Sequence, residues 1–295
     1  TYYLKLAGYP LPWRLTRGAY VALVFIWRMN WVFFLVPVGL AVARRGRREL
    51  LLGSMFLAQL AYSIYVGGDA WESWGGANRY VCAVMPLFFV LFMVGLQALG
   101  GLIRLHFVKC LPGVDPVAVD RGLRRAGIAV ILVALASFNA IYGPAALDEM
   151  LLLKKPLHVE ENQKMVERAL AVQRVTASAA TVAVVWDGAI PYFAERKAIS
   201  ILGKNDRQVA REPMRTATGA KKLVAFYPGH LKWDYAYSIG QLKPDVVAQL
   251  WQEPESALPY LEHEYLQAKV DGFTFYLRSG SPNVIWSRVK ASSTG

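Results

Sequence analysis

Long apolar runs dominate the first half of the chain. They span residues 20–42, 50–66, 80–103 and 126–147. Each is close to the ~20 residues that a helix needs to cross a bilayer core of roughly 30 Å. The first run contains Arg28, so either this side chain faces a wet cavity or the run begins as a helix on the membrane surface. The pattern predicts four transmembrane helices, preceded by an interfacial loop at residues 1–18.

From residue 148 onward the pattern is that of a soluble domain. Residues 158–175 carry apolar side chains at helical spacing between charges, which predicts an amphipathic helix. Short apolar runs predict strands at residues 181–186, 199–202, 245–248 and 272–277. Because strand and helix patterns alternate, we expect a small α/β domain with some parallel pairing. The predicted architecture is a membrane α-helical bundle at residues 1–147, followed by a soluble α/β domain at residues 148–295.

Composition agrees with membrane embedding, since 55% of the residues are hydrophobic and the mean hydropathy is +0.29, above the range of ordinary soluble proteins. The net charge of +12 raises the alternative of nucleic-acid binding. However, nine of the 14 Lys and Arg residues before residue 148 lie in two segments, 43–49 and 104–125. Such clustering marks cytoplasmic loops. We therefore expect a lipid bilayer and no nucleic acid as partner, with residues 67–79 and the soluble domain outside the cytoplasm.

The segment 67–80, here called the outer loop, contains more acidic, basic, aromatic and glycine residues than a simple connection between two apolar runs requires. Its sequence is GGDAWESWGGANRY. Its glycines allow positive φ and close approach to a ligand. Asp69 and Glu72 can act as bases or bind a cation, and Trp71 and Trp74 can stack on a sugar ring, with Asn78 as a further sugar contact. We therefore predict one wall of an active site here.

Two arginines are candidates for binding a donor phosphate. Arg79 lies at the outer end of the third run, where its guanidinium can hold a phosphate through two hydrogen bonds. Arg28 would serve the same role from the first run. Simpler roles stay open for all of these residues. Asp69 can close a glycine turn, and Arg79 can extend to the lipid headgroups. The tryptophans can belong to the aromatic belt at the membrane interface, and Glu72 can be solvated.

The soluble domain offers weaker candidates, which are Asp187, His230 and Asp234. Asp187 follows a predicted strand, where α/β domains bind ligands, although a turn residue is an equal alternative. His230 and Asp234, four residues apart, could share one helical face as metal ligands, but the sequence supplies no third ligand and a structural role is favoured. No glycine-rich nucleotide motif occurs. We assign no cofactor, and a divalent cation stays an open alternative.

Several short motifs, in their order along the chain, resemble the C-terminal half of GT-C membrane glycosyltransferases, nearest to the mycobacterial terminal arabinofuranosyltransferase group. They are Gly67-Gly68-Asp69, Arg79 before an apolar helix with Pro86, Asp187-Gly188, Ile201-Leu202-Gly203-x-Asn205-Asp206, Pro228-Gly229-His230 and Pro244-Asp245. The resemblance implies transfer from a polyprenyl-phosphate sugar to an envelope glycan or glycolipid, at the periplasmic face of the bacterial cytoplasmic membrane. It also implies that the main base lies upstream of residue 1, so that this chain is an incomplete enzyme.

A competing interpretation is a non-catalytic module in which the membrane helices anchor a glycan-binding or scaffolding domain. It is motivated by the residues themselves, which do not supply a complete set of base, nucleophile and metal ligands.

Overall fold

In the computed structural model the backbone is described except at residues 1, 29–30, 75–77, 111–112, 114, 143–144, 216–225 and 293–295. Side chains are described for the same residues apart from 28, 31–34, 74, 108, 134–135, 137–142, 145–147 and 290–292. The chain divides into two compact units. The helical unit is Leu11–Leu157, and the sheet unit combines Thr1–Pro10 with His158–Gly295.

The helices lie in both units and the strands in the sheet unit. The α-helices are α1 (Tyr2–Lys5), α2 (Leu11–Arg28), α3 (Trp31–Ala43), α4 (Arg47–Val66), α5 (Arg79–Cys82), α6 (Met85–Cys110), α7 (Pro116–Tyr142), α8 (Ala145–Met150), α9 (Val159–Val175), α10 (Ala189–Ala194), α11 (Arg207–Arg211), α12 (Leu258–Leu261) and α13 (Trp286–Ser292). Shorter 3₁₀ turns lie at Ala70–Trp74 and Pro254–Ala257, and a π-helical turn at Ala236–Gln241. The strands are β1 (Thr181–Val184), β2 (Lys197–Ser200), β3 (Val246–Val247), β4 (Tyr265–Val270) and β5 (Phe273–Arg278).

The helical unit differs from the four predicted spans. Among the described residues, two helices have the length and hydropathy of a membrane span, Arg47–Val66 and Met85–Phe107. The run at residues 20–42 falls on the end of α2, whose described part reaches Arg28, and on α3 from Trp31, while residues 29–30 lie outside the described residues. Residues 126–142 of the fourth run lie in α7, which already begins at Pro116 and includes charged residues of the preceding segment.

Two segments predicted as loops are helical. Residues 11–18 form the first two turns of α2, and the basic segment 104–125 is largely covered by the end of α6 and the start of α7. Pro10 and Pro12 suggested a loop, but proline is well accommodated in the first turn of a helix, and Pro12 is the second residue of α2.

Close backbone contact holds the helices together. A Cβ atom at Gly18 would overlap the backbone of Ile64, and one at Gly95 would overlap the backbone of Pro37. Small residues at such crossings let helices approach closely, the usual way in which helices associate without a large hydrophobic driving force. A buried aromatic cluster around Phe88 adds to this contact.

The two span-length helices keep most of their apolar surface uncovered by the chain. Only 11% of the most apolar window of α4 and 28% of that of α6 are buried. Exposed side chains include Leu51, Leu57 and Met55 on α4, and Phe89 and Met93 on α6. The core helix of a soluble protein would bury such side chains.

The sheet unit is built on a five-stranded mixed sheet in the order β2-β1-β3-β5-β4. Strands β1, β2 and β3 are parallel, and β5 runs antiparallel to β3 and β4. Helix α9 buries Val172 and Val175 against one face, while the other face packs on Trp233 and Ile239. The predicted small α/β domain with partial parallel pairing is confirmed. Strand β4 was missed, since its sequence YLQAKV places polar residues on exposed positions and lacks a clear apolar run.

The first ten residues belong to the sheet unit, although they precede the helical unit in sequence. The buried Lys232 Nζ donates to the carbonyl oxygens of Tyr3 (2.7 Å), Ala7 (2.9 Å) and Ala210 (3.0 Å). An ammonium group has three protons to donate, so these acceptors satisfy it fully. The buried cation thus ties the N-terminal segment to the domain.

Candidate functional site

The outer loop begins with a glycine turn that ends α4. Gly67 and Gly68 have φ of 91° and 73°, and their N–H groups donate to the carbonyl oxygens of Ile64 and Ser63. This arrangement satisfies free carbonyls at the helix end, and it needs the left-handed conformation that glycine adopts without strain. A Cβ atom at Gly68 would also lie 3.0 Å from Val21 and 3.1 Å from the guanidinium of Arg17. The prediction that glycine turns the chain is confirmed at Gly67 and Gly68, whereas Gly75 and Gly76 lie outside the described residues.

Asp69 forms a two-point ion pair with Arg79. Its side chain is fully buried, and its oxygens accept from Nε (2.7 Å) and Nη2 (2.8 Å) of Arg79. The backbone N–H groups of Arg79 (3.2 Å) and Trp71 (3.3 Å) donate to the same carboxylate. Burial acts to raise the pKa of Asp69, but the hydrogen bonds and charge of Arg79 outweigh it, and the pKa is lowered. Asp69 is therefore an anion whose acceptor capacity is used inside the loop.

Arg79 is held in one orientation by this pair yet stays open to solvent. Its side chain is 63% exposed, and the hydrogen bond to Asp69 raises its pKa. The guanidinium lies 5.8 Å from the ring centre of Trp71, which is itself 36% exposed. A fixed cation beside an accessible aromatic ring can meet an anion and a sugar face together.

Glu72 lies in a different environment only three residues from Asp69. Burial raises the pKa of its carboxyl group to about 7, against the opposing effects of Asn78 and the positive charge of Arg17. Its Oε2 atom is buried and has no hydrogen-bond partner among the described residues. A carboxyl group with this pKa exchanges its proton near neutral pH, as a general acid or base must.

Asn78 serves the fold of the loop. Its Oδ1 accepts from the N–H groups of Tyr80 (3.0 Å) and Val81 (3.2 Å), which caps α5, and its Nδ2 donates to Ser63 Oγ (2.9 Å). The residue is 3% exposed. Its predicted contact with sugar has no support from this position, because both ends of the amide bind within the protein.

Two arginines of α2, which the sequence analysis did not select, fix the loop from the side. The buried Arg17 donates to the carbonyl oxygen of Gly67 and to Ser73 Oγ (2.9 Å). The buried Arg14 donates to the carbonyl oxygen of Tyr65 (3.0 Å). Cations at a helix C-terminus satisfy free carbonyl groups and the negative end of the helix dipole. Their spacing of three residues places them on one helical face, a signal that was hidden by the prediction of a loop.

The remaining loop candidates are Arg28, the last residue of α2, and Trp74, the last residue of the 3₁₀ turn. Their side chains lie outside the described residues, so the predicted roles stay predictions.

In the sheet unit, Asp187 follows β1 as predicted. Both of its carboxylate oxygens are buried. Burial raises the pKa of Asp187, although a hydrogen bond from Ser200 and the positive charge of Lys204 act to lower it. His230 is 8% exposed and packs near Trp186 and Trp251, with ring centres 5.7 and 6.2 Å away.

The proposed pairing of His230 with Asp234 on a helix is wrong. Residues 230–234 do not form a helix, and Asp234 instead accepts from the N–H of Tyr237 (3.0 Å) at the start of the π-helical turn. Within the described part of the chain there is no cluster of three or more His, Cys, Asp or Glu residues that could hold a metal.

Comparisons with known proteins concern the sheet unit alone. Residues 155–281 match the family model of a domain of unknown function, DUF8728. No curated protein and no solved structure matches the chain. The matched segment begins close to His158, where the sheet unit resumes after the helical unit, so the chain is similar to that family over most of its α/β domain.

Proposed function

We propose that this chain is the C-terminal portion of a membrane glycosyltransferase of the GT-C type, arabinofuranosyltransferase-like. It would use a polyprenyl-phosphate sugar as donor and an envelope glycan or glycolipid as acceptor, at the outer face of the bacterial cytoplasmic membrane. The observation that carries the proposal is the outer loop: two apolar helices of span length are joined by a loop that holds the Asp69–Arg79 ion pair beside the half-buried acid Glu72.

Membrane insertion is supported by the uncovered apolar surfaces of α4 and α6. Hydrocarbon would cover these side chains, whereas water would make their exposure costly. The arginines at 44–48 precede or begin α4, and Lys109 lies near the end of α6, so positive charge collects at the helix ends opposite the outer loop. By the positive-inside tendency, those ends face the cytoplasm and the outer loop faces outward. The domain from residue 148 onward would likewise be extracytoplasmic.

The chemistry proposed is a single displacement. A hydroxyl group of the acceptor attacks the anomeric carbon of the donor sugar, the bond from that carbon to the phosphate oxygen breaks, and polyprenyl phosphate leaves. The proton of the attacking hydroxyl passes to a carboxylate. Positive charge next to the leaving phosphate lowers the barrier, because negative charge develops there.

In this scheme Arg79 binds the phosphate and Asp69 positions Arg79. Asp69 uses Nε and Nη2 of the guanidinium, and the 63% exposure of the side chain leaves a donating edge for a ligand. Trp71 would stack on the sugar beside it. Glu72 is the acid of this loop that can exchange a proton near neutral pH, and it would assist the main base that the resemblance implies in an upstream segment.

The test uses the full-length protein in native membranes and measures transfer from a labelled polyprenyl-phosphate sugar. We expect Arg79→Ala and Glu72→Gln each to reduce turnover by about 100-fold or more. Asp69→Asn should reduce it less, because the positioning of Arg79 weakens while the cation remains. Arg45→Gln, which removes an exposed charge at the opposite helix end, is the matched control and should leave transfer unchanged. Full activity in both Arg79→Ala and Glu72→Gln would remove the outer loop from the reaction.

A non-catalytic, membrane-anchored glycan-binding module is the alternative. It is favoured by one feature, the complete use of the Asp69 carboxylate by Arg79 and by backbone donors. Under this alternative the protein would bind envelope glycan equally well with Arg79→Ala or Glu72→Gln, and membranes carrying the unaltered protein would show no transfer above those lacking it.

A further inference from the structure

Arg168, on α9 of the sheet unit, is a cation whose charge no described residue balances. Among the described residues no carboxylate forms an ion pair with it, and its buried Nε has no hydrogen-bond partner. Burial lowers its pKa, and no acidic neighbour opposes that effect. Its remaining contacts are weak: Nη1 lies 3.5 Å from the carbonyl oxygen of Ala248, and the guanidinium carbon lies 5.2 Å from the ring centre of Phe273.

Arg168 lines a pocket of about 250 Å³ at the carboxyl end of β3. The other polar side chains of the lining are Gln249, Thr274 and Tyr276, and the rest of the wall is residues 247, 248 and 250. None of the lining residues is acidic, and the amide of Gln249 is bound within the protein, since its Nε2 donates to Met165 Sδ and its Oε1 accepts from backbone N–H groups. The lining therefore offers one cation and two hydroxyl groups to a ligand. These are the donors that hold carboxylates and phosphates in proteins.

The position in the sheet also favours a ligand. β1 lies between β2 and β3, so the chain leaves β1 toward one side and later returns to the other side at β3. In parallel sheets, ligands bind beyond the carboxyl ends of strands at such a reversal of strand order, and the pocket adjoins this place on the side of β3 and β5. Gln249 links the two strand ends, because its Oε1 accepts from the N–H groups of Val185 (3.2 Å) and Trp186 (3.3 Å).

We propose that this pocket binds a small oxyanion, a carboxylate or phosphate group, through the guanidinium of Arg168. The volume lies below the roughly 300–1,000 Å³ of pockets that enclose whole drug-sized ligands, which fits one anionic group. The proposal does not rest on the glycosyltransferase assignment, since it concerns the sheet unit alone.

The bound anion would supply the negative charge that balances the guanidinium of Arg168. An unpaired, partly buried cation destabilises the protein, and an anion bound to it recovers that loss. Replacing Arg168 by a neutral side chain should therefore remove stabilisation by anions, and should itself be neutral or stabilising when no anion is present.

The test is a titration of the full chain in detergent with inorganic phosphate and, separately, with acetate, at constant ionic strength in chloride. Thermal unfolding and tryptophan fluorescence report binding. We expect saturable stabilisation of the unaltered protein by at least one of the two anions, and the better anion identifies the group. Arg168→Gln should weaken the binding of that anion by about tenfold or more. Arg168→Lys should weaken it less, because lysine keeps the positive charge but lacks the planar guanidinium that donates two parallel hydrogen bonds.

The matched control is Lys164→Gln, which removes an exposed positive charge from the same helix and should bind like the unaltered protein. The titration is repeated in Arg79→Ala protein, so that phosphate held by the outer loop is separated from phosphate held by Arg168. Three results would overturn the proposal: equal affinity in Arg168→Gln, an equal loss in Lys164→Gln, or no saturable binding of either anion. If Arg168→Gln does not fold, the comparison of Arg168→Lys with Lys164→Gln decides in the same way.

Discussion

Asp69 and Glu72 are three residues apart, and their surroundings shift the pKa values of their carboxyl groups in opposite directions. Asp69 is buried against Arg79, which lowers its pKa. Glu72 is buried with less compensation, and its pKa rises to about 7. Pairs of acids whose environments separate their pKa values are typical of sites that move protons. At the residue scale, the outer loop therefore offers one fixed anion and one exchangeable proton.

This difference predicts how stability depends on pH. The pKa of Glu72 is raised from 4.5 to about 7 on folding, so the folded state binds the proton more tightly than the unfolded state. Stability linked to Glu72 is then present below the unfolded pKa and is lost as pH rises through the folded pKa. Glu72→Gln should be similar to the unaltered protein at pH about 5 and more stable at pH about 8, with Tm higher by on the order of 2–4 °C.

Thermal unfolding in detergent at the two pH values measures this effect. Glu262→Gln is the control, because it removes an exposed glutamate of the sheet unit. A gain in Glu72→Gln that is the same at both pH values would contradict the assignment of a raised pKa.

At the scale of elements, the end of α4 depends on glycine. Gly68 has a φ of 73°, and a Cβ atom there would press on Val21 and Arg17. Gly68→Ala should destabilise the protein by about 1–2 kcal/mol from the left-handed backbone alone, with further loss from the contacts. The change should also displace Asp69, which follows directly.

Gly100 offers a matched comparison. It lies inside α6, and a Cβ atom there meets nothing within 4 Å. Gly100→Ala should be neutral or stabilising, because alanine favours the helix. Unfolding of both variants by denaturant titration measures the difference, and equal stability of the two would show that the turn at Gly68 does not hold the loop.

Elements also differ in how far sequence predicted them. The amphipathic pattern gave α9 almost to the residue, and apolar runs gave β1, β3 and β5, because burial on a sheet face demands apolar side chains. Hydropathy predicted four spans, whereas two of the described helices have the length and hydropathy of a span, because hydropathy does not register which side chains a fold brings next to one another. Arg14 and Arg17 were missed because their segment was predicted to be a loop, and because their role depends on the packing of α2 against the end of α4, which sequence does not show.

At the scale of the whole molecule, the proposed orientation in the membrane can be tested with the two native cysteines. Both are free and exposed; Cys82 lies next to the outer loop and Cys110 ends α6 at its far end. A membrane-impermeant maleimide added to intact cells should label Cys82 and spare Cys110 until the membrane is opened. Burial and nearby carboxylates raise the pKa of Cys82, so the reaction is run at pH about 8.5 to form thiolate.

Cys82→Ser and Cys110→Ser assign each signal by mass spectrometry of the labelled protein. Labelling of Cys110 from outside, with Cys82 protected, would reverse the orientation. Equal labelling of both in intact cells would argue against a membrane between them.

The sequence by itself determined the apolar helices, the small α/β domain, and the outer loop as the place where charged, aromatic and glycine residues meet. It could do so because hydrophobic periodicity and turn chemistry act between neighbours in the chain. The tertiary structure alone decided that Asp69 is bound by Arg79 while the pKa of Glu72 is raised to about 7. It also decided that residues 1–10 pack with the C-terminal domain, and that Arg168 has no acidic partner among the described residues. Burial and partner choice join residues far apart in sequence, and these properties set charge and hydrogen bonding.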